Sequence, residues 1–438
     1  MSATHRLLVR ALVPVLVICL VAGALRAPHA QAKEAVTISF WHAMKGDKEA
    51  ALKELIAEFE KANPGVRVQA RFVGSHNAQW GNDYNSLYRG ILESLAGHTP
   101  PDAAQVYENW TTQLIDYGYL VPVQDYFGSA DAFGATDVND LVPVFRSANT
   151  YGGKMWTLPF NKSIYVLYYN EGLLKGAGVT PPHTWDDLRT AAQRLTTADR
   201  SVYGVTVQPN VDTLGHYLYA YGGDFLSDNQ AVFNNPLGLT SLRFWVDLVN
   251  TDRSAYPTFD TMVPFVSGKA AMFVFTTSVY NHLRKEAKFS LRLAPIPSAP
   301  GRAPRVQLAG TNLALFKTTP ERQAAAWKFI RFLTSKTVNT RWALRTGYLP
   351  IRQSAIQSPE YQAFLSKNPD YRDAAVANLR NGCVQPKVSA WESIRGIIDD
   401  AMFEAMSRRT SPQESLDRAV SISNDLIRKI LGAGGVQR

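Results

Sequence analysis

A tyrosine in the segment RTGYLPI, residues 345–351, is displayed on a turn. Gly347 and Pro350 flank Tyr348 and Leu349, and glycine and proline are the residues that most often form turns. Segments of this kind carry a large share of the binding residues in proteins. The segment therefore predicts that Tyr348, an apolar ring with a hydroxyl group, contacts a ligand.

Three other segments contain polar or charged side chains in positions that suit ligand binding. The buried-strand candidate AAQVYE ends at Glu108, and ligands bind at strand ends of open α/β sheets. The strand candidate in SGKAAMFVFTTS ends in the hydroxyl groups of Thr276, Thr277 and Ser278. Arg395 lies near the start of the helix candidate WESIRGIIDDAMFEAM, off its buried stripe. Two of these residues also have a purely structural interpretation. Glu108 could be a solvated loop acid, and Arg395 could form a surface salt bridge.

The sequence lacks the common catalytic and metal-binding motifs. It has no Gly-x-Ser-x-Gly nucleophile elbow, no His-Glu-x-x-His zinc helix, no Gly-x-x-x-x-Gly-Lys-Ser/Thr phosphate loop and no Gly-x-Gly-x-x-Gly fingerprint. Its eight histidines are scattered, and no Cys/His spacing matches a metal site. Many hydrolases also lack local signatures, but the pattern favours a binding protein without a cofactor over an enzyme.

The elements that must position these residues alternate between strand and helix. A strand through Phe40 is followed by a helix and then by an alternating strand over 66–72. The helix has an apolar stripe formed by Leu52, Leu55, Ile56 and Phe59. A second helix, from about 83 to 96, leads to the strand before Glu108. This order predicts a parallel sheet covered by helices, and 438 residues suit two lobes.

Capping residues predict where several later helices begin. Thr184 and Asp187 have the spacing of a capping box, and so do Ser411 and Glu414. Between the first sheet and these helices, residues 152–170 predict hairpin-like turns and then a strand ending at Asn170. We therefore expect the chain to cross between lobes near 143–165.

Residues 1–32 are predicted to be a secretory signal peptide. Arg6 and Arg10 give a basic start, an apolar stretch of 15 residues follows, and residues 30–32 form an Ala-Gln-Ala cleavage pattern. An uncleaved anchor and a lipid attached to Cys19 are alternatives. Cleavage would remove three arginines and no acid, so the formal net charge would fall from +9 to +6.

The mature chain would then contain Cys383 as its only cysteine, which excludes an internal disulfide. The remaining positive charge is scattered along the sequence, without the dense Lys/Arg stripe that is typical of nucleic-acid binding. We therefore expect no nucleic-acid partner.

From Val36 onward, the chain resembles the extracytoplasmic solute-binding proteins of ABC importers, a family that includes maltose-binding members. Within that family the resemblance is to the glycerol-3-phosphate-binding subgroup. The stretches that carry it are ISFWHAM, LPFNKSIYVLYYN, PPHTWDDL, GKAAM, LAGTNLALF and TGYLPI, in the family's order. The resemblance implies an α/β fold of two lobes, each a sheet flanked by helices, which close over a ligand in the cleft between them.

The resemblance also implies how the chain is divided and which residues bind the ligand. The implied segments are 33–145 and 293–345 for lobe 1, 146–292 for the first part of lobe 2, and 346–438 mainly for lobe 2 and the C-terminal helices. Carried over by position, the subgroup's ligand contacts are Tyr84, Glu108, Ser163, Thr277 or Ser278, Gly310, Tyr348 and Arg395. Tyr88 is an alternative to Tyr84, because the segment before it is longer than its counterpart.

These residue types suit a small phosphorylated polyol. The guanidinium of Arg395, near a helix start, forms strong charge-assisted bonds with phosphate, and the hydroxyls donate to its remaining oxygens. Gly310 has no Cβ and allows a backbone N–H to approach closely. Glu108 only accepts hydrogen bonds, so it suits the glycerol hydroxyls and would repel a phosphate at its end.

One departure from the subgroup widens the choice of ligand. Members of the enteric type have a tryptophan-rich stretch where this chain reads VDTLGHYLYAYGGDF, without tryptophan. A wider pocket could admit a glycerophosphodiester such as glycerophosphocholine, with its cation on Tyr217, Tyr219 or Tyr221. The alternative for these tyrosines is ordinary helix packing.

The resemblance implies a monomer in the periplasm or on the extracytoplasmic face of the cell membrane, which delivers its ligand to the membrane subunits of an ABC importer. Two other hypotheses remain. The same fold could bind a neutral oligosaccharide, or the chain could be an exported phosphodiesterase.

Overall fold

The computed structural model describes residues 34–74, 84–128 and 133–434. The predicted signal peptide and Cys19 lie outside these residues. Among the helices that the structure describes, none is long and apolar enough to span a bilayer.

Strands and helices alternate along most of the described chain. The strands are β1 Val36–His42, β2 Val66–Phe72, β3 Ala103–Val106, β4 Leu120–Val121, β5 Thr150–Tyr151, β6 Lys154–Met155, β7 Thr157–Asn170, β8 Tyr203–Val207, β9 Leu226–Ser227, β10 Gln230–Ala231, β11 Ala255–Pro257, β12 Ala270–Thr276, β13 Leu291–Pro295, β14 Val306–Phe316 and β15 Gly382–Cys383. The α-helices are α1 Asp47–Ala62, α2 Tyr84–Ala96, α3 Glu108–Asp116, α4 Ala135–Asp140, α5 Pro143–Ala148, α6 Glu171–Gly176, α7 Trp185–Leu195, α8 Val211–Ala220, α9 Pro236–Asn250, α10 Met262–Val266, α11 Tyr280–Glu286, α12 Pro320–Leu333, α13 Lys336–Thr346, α14 Gln353–Ile356, α15 Pro359–Lys367, α16 Pro369–Ala374, α17 Trp391–Met406 and α18 Pro412–Gly434. Short 3₁₀ helices are found at Val123–Tyr126, Thr277–Val279 and Val376–Asn381.

The predicted β-α-β opening is confirmed. β1 pairs in parallel with β2 and with β3, and the apolar stripe of α1 is buried against them. The capping box before α7 is also confirmed, because the Thr184 hydroxyl accepts the Asp187 N–H and the Asp187 carboxylate accepts the Thr184 N–H. Ser411 and Glu414 make the same reciprocal bonds before α18.

One strand joins the two halves of the sheet. The strand order is β11-β8-β12-β7-β14-β3-β1-β2. Residues 157–164 of β7 pair with β14, and residues 165–170 pair with β12 and β13. A single strand of 14 residues therefore connects the β1–β3 side of the sheet to the β8–β12 side. Its residues 157–165 fall within the segment 143–165 in which the sequence predicts a crossing, and the assignment of segments to lobes stays a prediction.

The predicted strand ending at Glu108 is shorter than expected. β3 ends at Val106, Tyr107 is extended, and Glu108 is the first residue of α3. A carboxylate in the first turn is favoured by the unpaired N–H groups and the positive end of the helix dipole. The strand end still determines where Glu108 lies, but its side chain leaves from a helix.

Gly310 allows β14 to pass close to β7. Its φ angle is +87°, a conformation that side chains rarely tolerate, and a Cβ atom there would lie 1.8 Å from the Asn161 carbonyl oxygen. The pairing of the two strands is irregular immediately afterwards, between Thr311 and Asn312. The structure therefore gives this glycine a backbone role that does not depend on a ligand.

We expect Gly310→Ala to lower the free energy of unfolding by about 2–4 kcal/mol, because the new Cβ meets a backbone carbonyl and the backbone must adopt a strained φ. Urea unfolding followed by circular dichroism measures the change. Gly65→Ala is the matched control, since a Cβ at Gly65 has no neighbour within 4 Å. Equal effects of the two substitutions would contradict the assignment.

Candidate ligand-binding site

A cavity of about 290 Å³ lies between helices α2, α3, α8 and α17 and strands β7 and β14. Most of the side chains that line it are polar, charged or aromatic. The lining residues are Tyr84, Asn85, Tyr107, Glu108, Asn109, Tyr165, Asp212, Leu308, Ala309, Val384, Gln385, Glu392 and Arg395. A cavity of this size, at the lower end for ligand sites, suits a small molecule.

A buried lysine fixes Glu108 on one wall of the cavity. Lys162 of β7 is fully buried, and its ammonium donates to Glu108 Oε1 at 2.6 Å, Asn312 Oδ1 at 3.0 Å and the Gly310 carbonyl at 3.2 Å. These three acceptors match the three N–H donors of the ammonium. The charge of Glu108 is therefore compensated inside the protein while its side chain still reaches the cavity.

Arg395, on another element that lines the cavity, is fixed by a second ion pair. Its Nη2 lies 3.2 Å from Asp212 Oδ2, and its Nη1 donates to Asp212 Oδ1 at 3.4 Å and to Gln385 Oε1. Trp391 Nε1 donates to the same Gln385 oxygen at 2.9 Å. Burial opposes ionisation of Asp212, yet the Arg395 guanidinium outweighs it, and the pKa of Asp212 is lowered.

A third carboxylate connects the two walls. Glu392, one helical turn before Arg395 on α17, accepts hydrogen bonds from Asn109 Nδ2 at 2.7 Å and Trp110 Nε1 at 3.0 Å, both on α3. The side chain of Glu392 therefore holds α17 against α3 beside the cavity.

Tyr348 lies behind the lining. It is buried, its ring is parallel to that of Trp342, and its hydroxyl lies 3.5 Å from that of Tyr84, which does line the cavity. Asn161 donates to the Tyr84 hydroxyl at 3.0 Å. Tyr88 instead stacks on Trp110 and is not a lining residue. The structure thus favours Tyr84 over its alternative, and it brings the GYLPI segment to the edge of the site.

The other predicted contacts are not among the lining residues. Ser163 is buried on β7 opposite Ala309, and Gly310 is held against Asn161. Thr277 is fully buried, and the Ser278 hydroxyl lies 2.7 Å from that of Thr276. Tyr84, Glu108 and Arg395 are therefore the predicted residues that line the cavity. Ligand contact by any of the predicted residues stays a prediction.

The three tyrosines considered for a cation lie elsewhere. Tyr217 is buried and stacks on Tyr221 with 4.4 Å between ring centroids. Tyr219 is buried beneath the guanidinium of Arg305, which lies 4.9 Å from its ring centre. None of them lines the cavity, so the idea that they hold a cation there is corrected in favour of helix packing.

Sequence reasoning missed several lining residues that carry charge or hydrogen-bonding groups. Asp212 follows β8 after the Asn210 cap, so the strand-end argument that singled out Glu108 also applies to it. Glu392 lies one helical turn from Arg395 on the same helix. Gln385 lies in a segment without regular structure, and no local pattern marks it.

Solved structures with the same architecture define the fold class. UgpB from Mycobacterium tuberculosis in complex with glycerophosphocholine aligns with a TM-score of 0.82 at 23% identity, over 91% of this chain and 100% of that chain. The GacH receptor of Streptomyces glaucescens, solved unliganded and with acarbose, aligns with a TM-score of 0.78 at 22% identity, over 90% and 99% of the chains. The predicted two-lobed α/β binding-protein fold is confirmed.

Residues 45–340 match the family model described as bacterial extracellular solute-binding protein, and the chain belongs to this family. The sn-glycerol-3-phosphate-binding periplasmic protein UgpB of Escherichia coli K12 is 26% identical over 422 residues, which are 91% of this chain and 94% of that protein. The family predicted from the sequence is thereby confirmed.

We expect Lys162→Met to lower the free energy of unfolding by about 3–5 kcal/mol, because it leaves the Glu108 carboxylate without its buried partner. The double variant Lys162→Met/Glu108→Gln should recover part of this loss. Lys285→Met, which breaks an exposed pair with Asp47, should cost less than about 1 kcal/mol. Urea unfolding of all four proteins measures these differences. Absence of recovery in the double variant would contradict the account of the pair.

Asp399 on α17 predicts a pH dependence of stability. Burial raises the pKa of this carboxyl to about 7, although Arg395 and the Val211 N–H, 2.6 Å away, favour its ionised form. Between its ordinary pKa near 4 and about 7, the folded protein holds a proton that the unfolded chain has released. The stability from Asp399 is therefore fully present below about pH 4 and is lost as pH rises to about 7.

Asp399→Asn removes this loss, since the amide cannot ionise and still accepts the Val211 N–H. The free energy of unfolding of the variant, relative to that of the unmodified protein, should rise by about 1–3 kcal/mol between pH 4 and pH 8. This range follows from about 1.4 kcal/mol per pKa unit, reduced because the carboxyl is partly exposed. Urea unfolding at both pH values measures the gain. The same stability difference at both pH values would refute the assignment.

Proposed function

We propose that the protein is the solute-binding component of an ABC importer, and that its two lobes close over sn-glycerol 3-phosphate or a glycerophosphodiester such as glycerophosphocholine. The observation that carries the proposal is that Arg395 on α17 and Glu108 on α3 line the same cavity. A guanidinium binds phosphate, and a carboxylate accepts hydroxyl donors. The phosphate of a glycerophosphate suits the guanidinium, and its glycerol hydroxyls suit the carboxylate.

The guanidinium of Arg395 keeps donors for a ligand. A guanidinium has five N–H groups, and its bonds to Asp212 and Gln385 involve three. The other two can donate to a phosphate oxygen. On α3, Glu108 accepts a bond from Lys162 through Oε1, which leaves Oε2 as an acceptor for the glycerol hydroxyls.

Charge balance favours a zwitterionic diester over a dianionic monoester. Glu108 with Lys162 and Asp212 with Arg395 form two neutral pairs, and Glu392 adds a further carboxylate. A ligand with one anionic phosphate and one cationic headgroup matches this balance. The lining tyrosines Tyr84, Tyr107 and Tyr165 offer ring faces for a quaternary ammonium. The glycerophosphocholine bound to the structurally similar UgpB of M. tuberculosis has this chemistry.

A neutral oligosaccharide is the second candidate. The charge-balanced lining with three amide side chains and three tyrosines also suits sugar hydroxyls and ring stacking. Proteins of the same fold have been solved with acarbose and with cycloalternan. The presence of both Arg395 and Glu108 in the cavity nevertheless favours the phosphate ligand.

The proposal includes a place and a partner. We propose that the protein is exported and works as a monomer on the extracytoplasmic side of the membrane, where it delivers its ligand to the importer's membrane subunits. We propose binding without catalysis. Sustained release of glycerol 3-phosphate from glycerophosphocholine by the purified protein would instead establish the phosphodiesterase hypothesis.

Isothermal titration calorimetry with glycerophosphocholine, glycerol 3-phosphate and maltose tests the ligand class. We expect heat with glycerophosphocholine, and Arg395→Gln should weaken its binding by about 100-fold or more, because the phosphate loses a charged donor. Arg305→Gln is the matched control, because Arg305 pairs with Asp224 outside the cavity lining. This variant should bind glycerophosphocholine as tightly as the unmodified protein does. Heat with maltose alone would overturn the phosphate assignment.

A further inference from the structure

The guanidinium assigned to the ligand phosphate already faces a carboxylate inside the cavity. Asp212 and Arg395 both line the cavity, and the Asp212 carboxylate meets both terminal nitrogens of Arg395. Glu392 and Asp399 are two further carboxylates whose charge acts on the same guanidinium. An anion that enters the cavity therefore shares Arg395 with resident negative charge.

The Asp212 carboxylate is held in place by several groups besides Arg395. It accepts hydrogen bonds from the Gln385 amide and the Tyr165 hydroxyl. The Gln307 amide donates to the backbone carbonyl of Asp212 at 2.8 Å. A carboxylate fixed in this way cannot turn aside when a ligand arrives without breaking several bonds.

We propose that Asp212 is a resident counter-anion that determines the ligand charge the site accepts. It admits phosphodiesters, which carry one negative charge, and disfavours phosphomonoesters, which approach two. This inference rests on the proposed function, because it assumes that a phosphate binds at Arg395. It assigns the selection between the two proposed ligand types to one side chain.

The physical reason is the distance dependence of charge interactions. A phosphate within hydrogen-bond reach of Arg395 also lies close to the Asp212 carboxylate, because the carboxylate is only 3.2 Å from Nη2. Each added negative charge on the ligand gains attraction from the guanidinium and meets repulsion from the carboxylates of Asp212 and Glu392. Above about pH 7 the ionised Asp399 adds to this repulsion. In a partly desolvated cavity these effects are large and of similar size, so the second charge of a monoester brings no net gain.

The test compares three ligands that share a glycerophosphoryl group and differ in net charge. Glycerol 3-phosphate carries close to two negative charges at about pH 8, glycerophosphoglycerol carries one, and glycerophosphocholine is zwitterionic. Calorimetric titrations are performed with the unmodified protein, Asp212→Asn and Asp212→Ser. Asp224→Asn is the control, because it removes the same charge from an ion pair with Arg305 outside the cavity lining. Thermal unfolding without ligand verifies that each variant is folded.

We expect Asp212→Asn to raise the affinity for glycerol 3-phosphate, relative to that for glycerophosphocholine, by about tenfold or more, with glycerophosphoglycerol in between. Asp212→Ser should change the ratio in the same direction, and Asp224→Asn should leave it unchanged.

An unchanged ratio in a folded Asp212 variant would overturn the counter-anion proposal, while binding of glycerophosphocholine would still support the proposed function. If the unmodified protein binds none of the three ligands, the proposed function fails. A gain of glycerol 3-phosphate binding in Asp212→Asn would then still support the counter-anion, and no gain would overturn it.

Discussion

The ammonium of Lys162 is buried, and its charge has to be compensated by neighbouring groups. The acceptors that do so come from α3, through Glu108, and from β14, through Gly310 and Asn312. The carbonyl of the same lysine accepts the Leu349 N–H at 2.7 Å, which attaches the GYLPI segment to the crossing strand. One residue thus connects the strand that joins the two halves of the sheet to α3 through its buried charge and to the GYLPI segment through its backbone carbonyl.

The charge of Arg395 is compensated in the same way. Arg395 is compensated by Asp212, and Glu392 joins α17 to α3 through two neutral donors. Both walls therefore present charges that are already paired, and a ligand must fit between these pairs. Under the proposed function, this constraint favours a zwitterionic ligand over the most highly charged phosphate.

Local patterns in the sequence were sufficient to predict the helices and strands, but not the ion pairs that line the cavity. The apolar stripe of α1 and the capping box at Thr184 depend on residues a few positions apart, and both were predicted correctly. The partners of Glu108 and Arg395 lie 54 and 183 residues away, and no local periodicity connects them. The role of Gly310 was likewise hidden, since the carbonyl that it must pass belongs to another strand.

In the proposed complex, Arg395 binds the phosphate of a glycerophosphodiester and Glu108 accepts hydrogen bonds from its glycerol hydroxyls. A crystal structure of the protein grown with glycerophosphocholine would show these contacts. We expect a phosphate oxygen within about 3.2 Å of an Arg395 guanidinium nitrogen and a glycerol hydroxyl at the same distance from a Glu108 carboxylate oxygen. A phosphate bound at Glu108 would contradict this assignment. So would a structure in which the cavity is empty and glycerophosphocholine is bound elsewhere on the protein.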